Sequence, residues 1–295
     1  MKKRKTSLMS LIIITYFCII VQGFTAFSIK QDDNDNKNVV SFFPVSSSVE
    51  FKWYKTWGGS VDDVGYGVAV DSSDNVYLAG ETDNFGAGNK DFVLVKYDSF
   101  GAQKWYRTWG GSDNEYTGGV TVDSSDNVYL AGNTFSFGSG SKDMVLVKYD
   151  GSGVQLWNRT WGSSSTEEGL GVAVDSSDNV YLVGWVHSSG FNNYNMVLVK
   201  YNSSGTQLWS RTWGGSSYDW GRGVAVDSSD NVYITGDTES FGEGNLDIVL
   251  VKYNGSGTQL WNRTWGGSVN EYGRGVAVDS SDNVYITGGT DSFGV

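Results

Sequence analysis

One spacing governs this chain. Trp57, Trp109, Trp161, Trp213 and Trp265 stand 52 residues apart, and the segment Asp-Ser-Ser-Asp-Asn-Val-Tyr begins at Asp71, Asp123, Asp175, Asp227 and Asp279 with the same step. A chain that repeats at this length stacks one supersecondary unit on the next, because a single unit cannot bury its own apolar faces. Within one period the residues read as four short strands: Tyr66 to Asp71, Val76 to Glu81, Asp91 to Asp98 and Gln103 to Trp109. Each is rich in Val, Tyr, Phe or Trp and is bounded by Gly, Asn, Asp or Ser. Outside the N-terminal segment no stretch carries a 3.6-residue apolar period, so helix is not expected.

The third strand alternates Phe92, Leu94 and Lys96 on one face with Val93, Val95 and Tyr97 on the other, so both faces are largely apolar and both must be covered. Ten of the 12 Trp are repeat positions, two per period, and are expected to pack between units. A four-stranded antiparallel unit of this length predicts an all-β chain, a β-propeller of 52-residue blades. The run Gly-Val-Ala-Val-Asp-Ser-Ser-Asp-Asn-Val-Tyr-Leu-Ala-Gly, followed by a Leu-Val-Lys-Tyr strand and a Trp-Gly-Gly-Ser turn, resembles the SBBP type of β-propeller repeat. These motifs cover about Trp53 to Val295. The resemblance implies a propeller of the kind found mainly in exported and cell-surface proteins, and it supplies no catalytic residue.

Four complete blades are expected, ending at Trp109, Trp161, Trp213 and Trp265, and the fifth copy stops at Val295 after two strands. Phe51 to Trp57 aligns with the fourth strand, and Val39 to Val45 falls opposite the third. The expectation is therefore five blades, with residues 39–57 closing the last one and removing a raw sheet edge. Pro44 weakens this reading, because proline cannot donate to an interior ladder. A fragment of a longer propeller is the competing reading.

The first 27 residues read as a signal peptide or N-terminal anchor: Lys2, Lys3, Arg4 and Lys5 precede an apolar run from Leu8 to Val21, with small residues at Gly23 and Ala26. Residues 28–38 are polar and read as a flexible linker. Export to the extracellular space or cell surface follows as an expectation. Membrane contact is expected only through that anchor. With Cys18 and His187 the only members of their types, a disulfide framework, a Cys/His zinc site and a Cys-His catalytic pair are excluded. A net charge of -12 with no basic block argues against nucleic acid. Sequons at Asn158, Asn202, Asn254 and Asn262 lie at or near the outer strand, where exposed positions suit glycans.

In an antiparallel meander the turns alternate between two ends. The first face carries the five identical Asp-Ser-Ser-Asp-Asn turns, whose composition is that of a hairpin turn and departs from the calcium-loop pattern. The second face carries longer, more variable loops. An acidic residue precedes each innermost strand there: Asp63, Glu115, Glu167, Asp219 and Glu271. These five are candidates for a cation site, with calcium the ion considered, or for a carboxylate pair in glycoside hydrolysis. Alternatively each accepts backbone N–H bonds in its own turn, and five equivalent environments favour that reading, since an acid and a base need unlike ones. The loop between the second and third strands of the third blade departs from the repeat. It holds Trp185, His187, Asn192, Asn193 and Tyr194, and Tyr218 and Trp220 lie in the turn into the fourth blade. Aromatics with amides suit stacking on a sugar ring or an extended peptide. The alternative is drift of one loop whose aromatics pack on each other. The expected function is a non-enzymatic binding propeller for carbohydrate or a surface protein, with a glycan-degrading enzyme or a structural surface scaffold as alternatives.

Overall fold

A computed structural model describes residues 28–31, 38–41, 52–187 and 193–292. The chain divides into two compact units, Met1–Thr56 and Trp57–Val295. In the first, Ser28–Gln31 (β1) pairs antiparallel with Asn38–Ser41 (β2), Ser28 opposite Ser41. This hairpin lies where the sequence predicted a polar linker followed by a closing strand. The Ile29↔Val40 and Lys30↔Val39 pairs explain it, since β-branched residues favour a ladder.

The second unit is built of four-stranded antiparallel sheets. The first blade comprises Asp63–Val70 (β3), Val76–Thr82 (β4), Asp91–Tyr97 (β5) and Gln103–Trp109 (β6). The second comprises Glu115–Val122 (β7), Val128–Thr134 (β8), Asp143–Tyr149 (β9) and Gln155–Trp161 (β10). Glu167–Val174 (β11), Val180–His187 (β12), Tyr194–Tyr201 (β13) and Gln207–Trp213 (β14) form the third. Asp219–Val226 (β15), Val232–Thr238 (β16), Asp247–Tyr253 (β17) and Gln259–Trp265 (β18) form the fourth. Glu271–Val278 (β19) and Val284–Thr290 (β20) pair as a two-stranded sheet. The chain is all-β, with the four-stranded blades of a β-propeller, and among the described residues there is no helix.

The innermost strand begins three residues earlier than the alternation of β-formers suggests. Asp63, Val64 and Gly65 pair with Thr82, Glu81 and Gly80 beyond a bulge between Gly65 and Gly67, and the bulge masks the period of two. The same bulge recurs in every copy.

Cores form between blades. Tyr77, Phe92 and Leu94 of the first blade pack with Val128, Leu130, Val145, Val147 and Tyr149 of the second, and the pattern repeats at later boundaries. Trp109 lies between Phe92 at 5.5 Å and Phe137 at 5.2 Å, and so joins two blades as expected. Innermost strands pack in the order β3, β7, β11, β15, β19. Lys and Arg tie each outer rim to the next blade: Lys96 Nζ donates to the Gly151 carbonyl and Arg107 Nε to that of Gly153, and Lys148 and Arg159 repeat the pattern one blade on.

The last sheet differs in what covers it. Tyr285 is 56 % exposed, whereas its repeat equivalents Tyr77, Tyr129 and Tyr181 are fully buried. Among the described strand pairs none joins residues 39–57 to β20. Trp57 nevertheless lies 5.1 Å from Phe85, the relation that Trp109 has to Phe137 and Trp213 to Phe241. Trp57 thus occupies the place of a fourth-strand tryptophan beside the first blade.

Candidate functional site

The five repeat turns of the first face are built by their leading aspartate. Asp71 Oδ1 accepts from the Ser73 and Asn75 amides, at 3.0 and 2.8 Å, and Tyr77 Oη and Lys96 Nζ reach Oδ2. Burial raises the carboxyl's pKa, but these hydrogen bonds outweigh it and hold Asp71 below the usual carboxylate value, as they do Asp123, Asp175 and Asp227. The fourth residue of the turn, such as Asp74 with φ +60°, sits in the left-handed region that Asp tolerates. Both oxygens of the leading aspartate are thus engaged in holding the turn.

The second-face acids are used in a similar way. Glu115 is fully buried and accepts from Gly111 N at 2.9 Å and Thr134 Oγ1 at 2.8 Å. Glu167 accepts from Ser163, Asp219 from Gly215 and Thr238, Glu271 from Gly267 and Thr290, and Asp63 from Gly59. Among the described residues no three His, Cys, Asp or Glu side chains converge. Each carboxylate accepts hydrogen bonds within its own blade.

The variable loop of the third blade meets the turn into the fourth. Trp185, His187, Tyr194, Tyr218 and Trp220 are all half-buried. Tyr194 is the hub: its ring centroid lies 4.4 Å from Trp185, 5.5 Å from His187, 5.3 Å from Tyr218 and 6.2 Å from Trp220. Tyr218 and Trp220 stack at 5.3 Å with planes 7° apart. His187 Nδ1 is 3.2 Å from Ser165 Oγ. Asn193 departs from its expected role as a ligand contact. It is 3 % exposed, and its amide donates to the Gly215 and Ser217 carbonyls, fastening the loop to the neighbouring turn. Asn192 lies outside the described residues.

Four residues join this patch that the composition of the loop did not single out. Lys142 Nζ lies 5.1 Å over the Trp185 ring and 5.8 Å from that of Phe135, and pairs with Glu168 at 2.7 Å. Phe135 meets Tyr116 at 6.0 Å, so aromatic surface continues into the second blade. A signal was present in the repeat: Tyr116, Glu168 and Trp220 occupy one register, the position after the buried acid. Trp185 also replaces something. Its equivalents accept backbone N–H bonds from the next blade, as Glu81 does from Thr117 and Asn133 from Gly169. The third blade gives up that acceptor for an indole.

This fold and these repeats define a β-propeller repeat protein. The beta-propeller repeat SBBP matches residues 58–86 and 208–241, and the chain carries repeats of this type. An uncharacterized WD repeat-containing protein of Acanthamoeba polyphaga mimivirus is 27% identical over 195 residues, covering 51% of this chain and 14% of its own. The regulatory protein FlaEY of Caulobacter vibrioides is 26% identical over 114 residues, 34% of this chain and 12% of that protein. The chain thus spans a small part of the curated relatives it matches. Similar solved structures include a gluconolactonase from Xanthomonas campestris, with TM-score 0.47, 12% identity, 76% of this chain and 69% of that one. A glucose dehydrogenase has TM-score 0.47 and 12% identity over 80% of this chain and 84% of its own.

Proposed function

We propose that this chain is an exported or cell-surface, non-enzymatic β-propeller that binds carbohydrate through the second-face loops of its third and fourth blades. The observation that carries this reading is the hub at Tyr194, where four aromatic side chains from the end of β12 and the entry into β15 meet half-buried at positions the repeat does not require. Such rings present C–H-binding faces, and Lys142 and Glu168 at the margin supply a donor and an acceptor for hydroxyls. Engagement of the second-face carboxylates in their own turns supports binding without turnover.

A glycan panel tests this directly. Retention without released product is expected, with Trp185→Ala or Trp220→Ala weakening it by about 1–3 kcal/mol, the range for losing an aromatic contact. Released sugar would replace the reading with an enzymatic one. Retention of a surface protein and of no glycan would make the partner a protein, and binding of neither would leave a scaffold.

A further inference from the structure

The same contacts join one blade to the next along the whole chain. At the first face a turn serine bonds an aspartate of the following copy: Ser72 with Asp126, Ser124 with Asp178, Ser176 with Asp230 and Ser228 with Asp282. Deeper in, each second strand lies close to the next innermost strand. A methyl group on Gly169, Gly221 or Gly273 would strike the carbonyl of Gly132, Gly184 or Gly236. Between these two points Tyr77 shares a core with Val120 and Val122, Tyr129 with Val172 and Val174, and Tyr181 with Val224 and Val226.

One half of each contact is left over at either end of the series. Ser280, Tyr285 and Gly288 are the repeat equivalents on the β19–β20 sheet, and Asp74, Val68, Val70 and Gly65 are those on the first blade. Among the described residues no serine reaches the Asp74 carboxylate and Ser280 has no such acceptor, and both are exposed. Both are nevertheless built as in the joined copies. Asp74 has φ +60° beside +61° for Asp126. The turn that holds Ser280 is closed by Asp279, which accepts the Ser281 and Asn283 amides at 2.9 Å each. A methyl group on Gly65 would meet nothing within 4 Å. Val68 and Val70 are 52 % and 45 % exposed, without the cover that Val120 and Val122 receive, and Tyr285 is open as well. The two faces therefore do not meet within the chain, and each carries what the other lacks.

We propose that the β19–β20 face of one copy docks on the first-blade face of a second copy of this chain, repeating the internal blade boundary between two molecules. Ser280 then donates to Asp74 of the second copy, the Gly288 carbonyl lies against Gly65, and Tyr285 covers Val68 and Val70. A second copy is the occupant that the observations favour, because a donor and its acceptor, a carbonyl and the glycine that admits it, and an aromatic ring with its aliphatic cover all match in one register. The contact is heterologous, so each added copy presents the same two faces again until the rotation closes a ring. Tyr194 and its neighbours lie on neither face. The aromatic hub stays open, and the assembly carries one hub per copy. Which strand completes the edge of β20 is a separate matter from what covers this face.

Light scattering on the intact chain at rising concentration should give the mass of two or more chains. Val68→Lys and Tyr285→Ser each alter an exposed side chain, one on either face, and each should return the mass to that of a single chain while the β circular dichroism spectrum is kept. Cysteine pairing locates the contact. Asp74→Cys and Ser280→Cys chains, both carrying Cys18→Ser so that no other thiol is present, are mixed and oxidised, and a disulfide-linked pair with one chain of each kind is expected. A single-chain mass at every concentration, or association that survives both Val68→Lys and Tyr285→Ser, overturns the proposal. So does a disulfide formed only within one chain when Asp74→Cys and Ser280→Cys are combined, since the two faces would then meet in the same molecule.

Discussion

Ser124 and Asp178 are joined twice across a blade boundary: the Ser124 amide donates to Asp178 Oδ1 at 3.0 Å and its hydroxyl to Oδ2 at 2.8 Å. The same double link joins Ser72 to Asp126, Ser176 to Asp230 and Ser228 to Asp282. A carboxylate that accepts both bonds must also sit at φ +60° in Asp178, so the residue has two separate duties. They can be separated. Asp178→Gly keeps the backbone relaxed and loses only the link, at about 1 kcal/mol. Asp178→Ala should lose about 1–2 kcal/mol more, the cost of a Cβ in the left-handed region. Urea unfolding measures both, and equal losses would show that the backbone is unstrained.

Acid should act through the leading aspartates of these turns. In Asp175, burial raises the carboxyl's pKa, but bonds from Asn179 and Lys200 outweigh it and leave the pKa below its ordinary value. A folded-state pKa below the unfolded one stabilises at higher pH, and that stability is lost as pH falls through the folded value. The thermal midpoint should accordingly drop on acidification below about pH 4, and Asp175→Asn should flatten this limb. Asp237 has the opposite sign: burial outweighs Arg222 and raises its pKa, so its contribution is present in acid and is lost as pH rises through the raised value. An Asp175→Asn profile parallel to the parent would remove Asp175 from the account.

The fold was legible because a 52-residue step repeats both the β-formers and the turn residues, and the strand boundaries from Val76 to Trp109 follow from local composition within a residue. The turns themselves were legible for the same reason, since an aspartate that bonds its own loop acts at short range. What lay hidden joins distant residues. Ser72 meets Asp126, and Asp91 meets Glu115, only once two blades are side by side. The aromatic loop showed as a break in the repeat, but Asn193 could not be told from a ligand contact, because an amide suits a buried bracket as well as an exposed site.

Trp213 and Trp220 provide a contrast between packing and surface. Trp213 is 8 % exposed, belongs to the core between blades three and four and lies 5.0 Å from Phe241. Trp213→Ala should cost about 3–5 kcal/mol through the cavity it leaves. Trp220 is half-buried against Tyr218, so Trp220→Ala should cost about 1 kcal/mol. Denaturant midpoints decide the matter. Comparable losses would make the aromatic hub a packing element and remove the reason to expect a ligand there.

Closure of the fifth sheet is the remaining expectation. β20 pairs with β19 on one side, and its Tyr285 is 56 % exposed, where Tyr77, Tyr129, Tyr181 and Tyr233 are buried; Ile286 is 38 % exposed, where Leu130, Leu182 and Ile234 are buried. Trp57 already stands beside Phe85 as a fourth-strand tryptophan does. If residues 39–45 supply the third strand, the β20 amides that do not bond β19 should be protected from hydrogen exchange, because a laddered amide opens only with its sheet. Deleting residues 39–50 while keeping Trp57 should then release those amides of Val284–Thr290 and leave the amides of Val232–Thr238 unchanged. Fast exchange at alternate β20 positions in the parent chain would show that this sheet is not completed by the N-terminal segment.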